Sequence, residues 1–483
     1  MTNANTPPNC EKQPCHCPAW VGWLFMVIVA GAIFVLGLLF ASVMERRAEA
    51  VKRAALFEIA PQEMDAEQWA RNYPRQYDSW RATQNESFTS KYAGSGHRDY
   101  LEETPANMIL FAGFGFGKDY CQARGHWYAV TDVANSPRVN VNTPASCWYC
   151  KSPDVPRLIS EWGVEKFTSH SFDELKDQVT HAISCYDCHD ETTMKLRVLR
   201  PAIVDGFAKM GKNMDSFTHQ EMRSIACAQC HSTYYFESGT NIVTFPWANG
   251  LSAENTEQYY QNDGFSDWTH PISKVRMIKI RHPDYELFTT SLHASQGLSC
   301  ADCHMPYRTE GAEKFSDHHL KSPLGDVSRS CNVCHRWSED EVRERVTSIQ
   351  DKVREGRDRA EFAIARAHFD IAAAAEAGAT DEELAEVRDL LRYAQMHWDF
   401  IAAANGMGFH SPQESQRILA TALDKASQVR LTCSRILARH GYTDEVAYPD
   451  FSTKEKAQEL TSRFATGIAP SLLKKQEPAT ELH

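Results

Sequence analysis

Five C-x-x-C pairs punctuate the middle of the chain: Cys147/Cys150, Cys185/Cys188, Cys227/Cys230, Cys300/Cys303 and Cys331/Cys334. Four of them are followed at once by histidine, at His189, His231, His304 and His335. C-x-x-C-H is the spacing at which two thiols attach a c-type haem and the histidine ligates its iron. Zinc uses the same residue types, but two pairs per metal, and five pairs divide badly. Neither zinc nor disulfides require histidine at one fixed offset four times over. The pattern predicts five covalent haems. Residues 81–335, which carry all five motifs, are rich in Gly, Pro, Asn and aromatics and show little sustained periodicity. Short helices and loops wrapped around porphyrins are expected there, with few strands.

The first pair breaks the rule. S-C-W-Y-C-K puts Lys151 where the iron-binding histidine belongs. A free lysine amine has a pKa of about 10.4 and binds a metal only when deprotonated. A buried ferric centre can drive that deprotonation. The amine lacks an imidazole ring and alters the iron's electronics. The alternative is a solvated Lys151 with another residue on this iron. A relay haem takes a second strong ligand; the sharper reading of Lys151 is a catalytic haem with an open position, fed by four relay haems. Fifteen of the 20 histidines remain once the four proximal ones and His16 are set aside, and spacing cannot assign the distal partners among them.

Covalent haem is attached outside the cytoplasm, so an export signal is expected. Residues 19–41 are uncharged and apolar throughout. About 20 such residues span a bilayer. The run is long for a signal-peptide core, which favours an uncleaved anchor (19–44) over a cleaved signal and a soluble periplasmic form. Arg46, Arg47, Lys52 and Arg53 follow it and Lys12 precedes it, the reverse of the positive-inside preference. Haem chemistry overrides that preference, placing 1–18 in the cytoplasm and the bulk of the chain on the periplasmic side of the inner membrane. Cys10, Cys15, His16 and Cys17 then form a tail cluster on the wrong side for haem attachment.

The net charge of −12, without a long basic run, argues against a nucleic-acid partner. Residues 46–80 read as a polar, helical lead-in. From 338 the pattern turns to long amphipathic helices. Ser338 with Glu341 and Thr380 with Glu383 are capping boxes opening runs to about Ala377 and Gly406. Ser411-Pro412 opens a third run that stops at Gly441, and a fourth is expected over 452–475. Their apolar stripes must be buried, either by a second subunit or by a bundle closing over the haems. The fold class expected is mainly α: a pentahaem-binding catalytic region (45–337) of loops and short helices, plus a long-helix region (338–483). Cys121 and Cys433 are expected as buried free thiols, with a disulfide as the alternative.

From about residue 68 to 460 the chain resembles the pentahaem cytochrome c nitrite reductase family. C-W-Y-C-K-S-P-D-V is that family's signature for its active-site haem. R-G-H-W-Y-A-V-T-D-V (124–133), F-P-W-A-N-G (245–250), F-S-D-W-T (265–269), H-P-D-Y-E (282–286), C-A-D-C-H-M-P (300–306) and S-T-K-E-K-A-Q (452–458) match as well. The resemblance implies distal ligands His126, His293, His318 and His410 for the third, fifth, second and fourth haems in sequence order. His319 beside His318 leaves that assignment open to a slip of one. It implies Arg138, Tyr234 and His282 on the substrate side. Nitrite would then be reduced by six electrons and eight protons to ammonium and two waters. Hydroxylamine, nitric oxide or sulfite are alternative substrates, and a pure electron conduit is the alternative from another class. The resemblance further implies a homodimer through the long helices and an electron donor, either a multihaem quinol dehydrogenase or a soluble cytochrome.

One departure stands out. Many members hold calcium beside the active haem through a Glu just before the active-site Tyr and a Lys-x-Gln pair. Here Thr233 and Arg281 take the Glu and Gln positions while Lys279 is retained. Calcium prefers carboxylate and carbonyl oxygen. The expectation is that calcium is absent and the Arg281 cation stands in its place, as in a calcium-independent branch.

Overall fold

The computed structural model describes residues 18–54, 57–311 and 313–473, the side chains of 48–54 excepted. The tail cluster at Cys10, Cys15, His16 and Cys17 lies outside the described residues. The chain divides into two compact units, 1–58 and 59–483. The first is a 36-residue helix, α1 (Ala19–Ala54), whose span from Ala19 to Arg47 is long and apolar enough to cross a membrane. The expected helical lead-in is interrupted: α1 ends at Ala54 and 57–65 are irregular. Short helices follow at Ala66–Ala70 and Pro74–Arg81. Asp65 caps the first, its side chain accepting from the Glu67 amide.

The second unit is mainly helical, as expected. Its described strands form three two-stranded antiparallel hairpins. The haem motifs build their own turns. In S-C-Y-D-C and S-C-A-D-C the serine is the N-cap and the aspartate between the cysteines closes a capping box, Ser184 with Asp187 and Ser299 with Asp302. The third motif ends α2 (His219–Ala228), opened by the Thr218–Glu221 capping box. A six-residue helix, α3 (Asp284–Thr289), follows His282.

Four longer helices complete the chain. α4 (Glu339–Glu376) and α5 (Asp381–Ala402) start at the expected capping boxes, and α6 (Pro412–Arg439) carries proline in its first turn. Their inner faces supply Ile364, Phe369, Leu391, Trp398 and Val429 to one core. Two ends differ from the sequence reading. α5 stops at Ala402 because the backbone and side-chain amides of Asn405 both donate to Asp284, and Gly406 and Gly408 then take positive φ. α7 is Lys454–Ala465, shorter than 452–475, and Gly467 at φ +76 turns the chain away. The expected boundary at 337/338 falls within the second unit.

A second core surrounds the first cysteine pair. Trp148 stacks on Phe172 with ring centres 3.8 Å apart and donates from Nε1 to the Phe172 carbonyl at 3.0 Å. Phe207, Phe245 and Trp247 close the other side.

Candidate active site and haem array

All five cysteine pairs open into one cavity of ≈ 3020 Å³, which Lys151, Arg138, Tyr234 and His282 also line. That is roughly three times the upper end for a single small-molecule pocket. The pairs form a continuous array. The Cys150 thiol is within hydrogen-bonding reach of Cys230, and Cys227 of Cys300. Cys230 also lies near Cys188, and Cys331 near Cys303. The third site thus adjoins the first, second and fourth, and the fourth adjoins the fifth. At the fifth, Cys334 and Val333 are exposed.

The donor set fits haem. An imidazole nitrogen about 2 Å from a metal and about 1.1 Å from its own ring centre puts two rings facing across one iron roughly 6.2 Å apart. His126 lies 6.4 Å from His231, His318 6.2 Å from His189, His410 6.3 Å from His304, and His293 6.4 Å from His335. Each motif histidine thus has a second imidazole at that spacing. Backbone carbonyls accept from Nδ1 of three of these rings: Met194 for His189, Lys321 for His304 and Ser316 for His318, at 2.9–3.0 Å. Such contacts leave Nε2 as the ligating nitrogen. His319 is different, its Nε2 lying 2.8 Å from the Glu86 carboxylate. One further ring meets the spacing: His282 is 6.2 Å from His231, so distance alone does not separate it from His126.

Around the first pair, Lys151 follows a turn closed by its own amide on the Trp148 carbonyl at 2.9 Å. His282 has φ +49, the left-handed region that a non-glycine residue occupies at a cost. Burial holds the His282 imidazole below its ordinary range. Burial holds the Tyr234 phenol above its ordinary range, against the pull of Arg281 and Arg138. Arg138 lies over the Phe116 ring at 4.3 Å, with Asp119 3.7 Å from its Nε.

Arg281 is buried and surrounded by oxygen. Its guanidinium donates to the Lys279 carbonyl at 2.9 Å, the Tyr234 carbonyl at 3.3 Å and Asp267 Oδ1 at 2.6 Å. Lys279 is not part of that shell through its amine. Its Nζ instead pairs with Asp399 of α5 at 2.7 Å, inside a box of Phe111, Phe116 and Tyr120 rings. Asp399 also accepts from the Ile280 amide at 2.8 Å, so the long helix holds the segment that leads to His282.

Sequence reasoning missed three polar groups that organise the site. Arg200, 1% exposed, donates to the Tyr149 and Ser152 carbonyls of the first motif (2.7 and 3.1 Å), Asp187 of the second (2.7 Å) and Gln229 of the third (3.3 Å). Asp284 takes donors from both Asn405 amides, and Glu286 Oε1 accepts from the Thr233 amide and Trp247 Nε1. The only sequence signal was that Asp284 and Glu286 lie in H-P-D-Y-E. Cys433 is buried as expected. Cys121 is half-buried, donates to Asp119 and lines the cavity.

The cytochrome c552 family model matches residues 65–477. Cytochrome c-552 of Bacteroides fragilis is 47% identical over 91% of each chain, that of Parabacteroides distasonis 45% over 96% of this chain and 98% of the relative, and that of Porphyromonas gingivalis 43% over 93% and 92%. Among solved structures, a cytochrome c nitrite reductase catalytic subunit from Desulfovibrio desulfuricans, described for its two calcium sites, superposes with a TM-score of 0.74 at 31% identity, covering 78% of this chain and 88% of that one. This chain is an oxidoreductase of the cytochrome c552 family, the pentahaem cytochrome c nitrite reductases that its motifs resemble.

Proposed function

We propose that the protein reduces nitrite to ammonium at a Lys151-ligated haem c supplied by four bis-histidine haems. The observation that carries this reading is an asymmetry. Four motif histidines each face a second histidine at 6.2–6.4 Å, while the remaining site offers Lys151 beside Arg138, Tyr234 and His282. When bound, that haem supplies an open coordination position and the path for electrons. The chain's own residues do the rest. Arg138 and His282 hydrogen-bond the nitrite oxygens and stabilise charge as the N–O bonds break, and His282 helps hand on protons. Tyr234 positions later, more reduced nitrogen species. The cationic pocket draws in the anion.

His126 is the fitter distal partner of His231. His282 is two residues from Asp284, which faces Nδ1 of His231, and so is tethered to the flank away from Nε2. His318 is fitter than His319, because its ring faces His189 at 6.2 Å with Nδ1 committed to the Ser316 carbonyl, whereas His319 Nε2 points at the Glu86 carboxylate. Arg281 occupies the place that calcium holds elsewhere in the family: two carbonyls and one carboxylate are a hard cation's donors, and the guanidinium satisfies them. The exposed Phe362 on α4 and Leu431 on α6 support a homodimer through the long helices. α1 supports an anchor on the periplasmic side that keeps the enzyme near a quinol-fed donor or a soluble cytochrome.

Steady-state reduction of nitrite by a reduced viologen, with ammonium counted per nitrite consumed, tests the reaction. A one-to-one yield is expected. Electron paramagnetic resonance with and without nitrite tests the site: five low-spin signals that nitrite leaves unchanged would mean an electron conduit.

A further inference from the structure

Asp284 sits between two haem sites. It is buried at the start of α3, and its two oxygens are used symmetrically. Oδ1 accepts from the Asn405 amide at 2.7 Å and faces His410 Nδ1 at 3.5 Å. Oδ2 accepts from Asn405 Nδ2 at 2.8 Å and faces His231 Nδ1 at 3.4 Å. His410 Nδ1 is buried without a hydrogen-bond partner of good geometry, and the Asp284 carboxylate is the acceptor it faces. In the proposed ligand set, His231 is the proximal ligand of the third haem and His410 the distal ligand of the fourth. Where the other Nδ1 contacts are resolved, at His189, His304 and His318, the acceptor is a neutral backbone carbonyl. A full negative charge is thus reserved for one ligand on each of two neighbouring haems.

A carboxylate behind an imidazole N–H makes the opposite nitrogen a stronger donor, and a stronger donor favours ferric over ferrous iron. We propose that Asp284 acts as a positioning residue shared by the third and fourth haems, lowering the reduction potentials of both and coupling them. An electron arriving at one haem weakens its ligand's demand on the carboxylate, which then turns more fully to the other. The two Asn405 donors hold the carboxylate in place and temper its charge. This inference rests on the ligand assignment above.

The test is a spectroelectrochemical titration of the five-haem protein. In Asp284→Asn, two of the five one-electron couples should move positive, each by about tenfold in its equilibrium, or about 59 mV. The other three should move by less than half of that. Asn405→Ala keeps the carboxylate and the backbone donor but removes the competing side-chain donor on Oδ2, so the same two couples should move negative, the third haem's more; it also covers the case in which Asp284→Asn does not fold. Couples that stay fixed in both variants, or five that shift together, would overturn the proposal. His410→Met separates the two levels of the argument. Loss of one bis-histidine low-spin signal in that variant, with Asp284→Asn inert, removes only the role of Asp284. All low-spin signals intact removes the ligand assignment itself.

Discussion

Replacing Arg200 with methionine tests how far the order of three haem sites depends on one side chain. The substitution keeps most of the apolar stem and removes every donor. Asp187, 2% exposed, loses its counter-charge. Breaking one side of a buried ion pair costs about 3–5 kcal/mol. The Tyr149 and Ser152 carbonyls lose a buried donor as well, at about 1–3 kcal/mol each where no other partner replaces it. The losses share one side chain and do not simply add, so a total of roughly 4–8 kcal/mol is expected. At about 2 °C per kcal/mol for a large domain, the holoprotein's Tm should fall by roughly 8–16 °C. Thermal unfolding followed at the haem absorbance, with haem per chain counted separately, reads the effect. The double variant with Asp187→Asn should be less destabilised than the sum of the two single changes by about 3 kcal/mol, because the orphaned charge is gone. A Tm within about 2 °C of wild type at full haem content, or strict additivity in the double variant, would refute the reasoning.

Lys151→His should keep five haems per chain and lower turnover at least about tenfold in the viologen assay, the scale of an altered metal-ligand environment. Arg281→Gln restores the Lys-x-Gln pattern and leaves Asp267 and two carbonyls facing a gap; its Tm should rise on adding millimolar calcium, while wild-type Tm should not. Burial pushes the Glu361 carboxyl up to about 8, against the pull of Arg357, and neither oxygen has a hydrogen-bond partner. An unfolded glutamate titrates near about 4.3, so the folded state holds a proton that the unfolded state releases between those values. The stability from this group is full below about 4.3 and declines by up to about 1.4 kcal/mol per pH unit until about 8. Glu361→Gln should flatten that slope, raising Tm relative to wild type at pH 8.5 more than at pH 5.

Local signals carried the helical framework. Ser338 with Glu341 and Thr380 with Glu383 are four-residue signals, and both helices begin there. The same S-x-x-D signal opens two haem motifs at Ser184 and Ser299, where it overlaps the cysteine pairs. The distal histidines were not legible as spacing. His318 lies far along the chain from His189, and their 6.2 Å approach is tertiary. Only the family motifs suggested those pairings. Arg200 reaches Tyr149 and Asp187 across 51 and 13 residues, and Asn405 reaches Asp284 across 121; nothing local marks such contacts. The early end of α5 has the same origin, since the chain leaves the helix to serve a carboxylate from another segment.

The continuous run of five attachment sites, ending at the exposed Cys334, also sets a storage limit. Five haems, one at each attachment site as proposed, hold five electrons in one chain, and the proposed reaction consumes six. A fully charged molecule therefore falls one electron short of completing a single nitrite. Every turnover must include at least one fresh delivery from outside after the substrate has begun to change. The donor is then a participant in each cycle, and the rate at which the last electrons arrive decides whether partly reduced nitrogen stays in the pocket long enough to become ammonium.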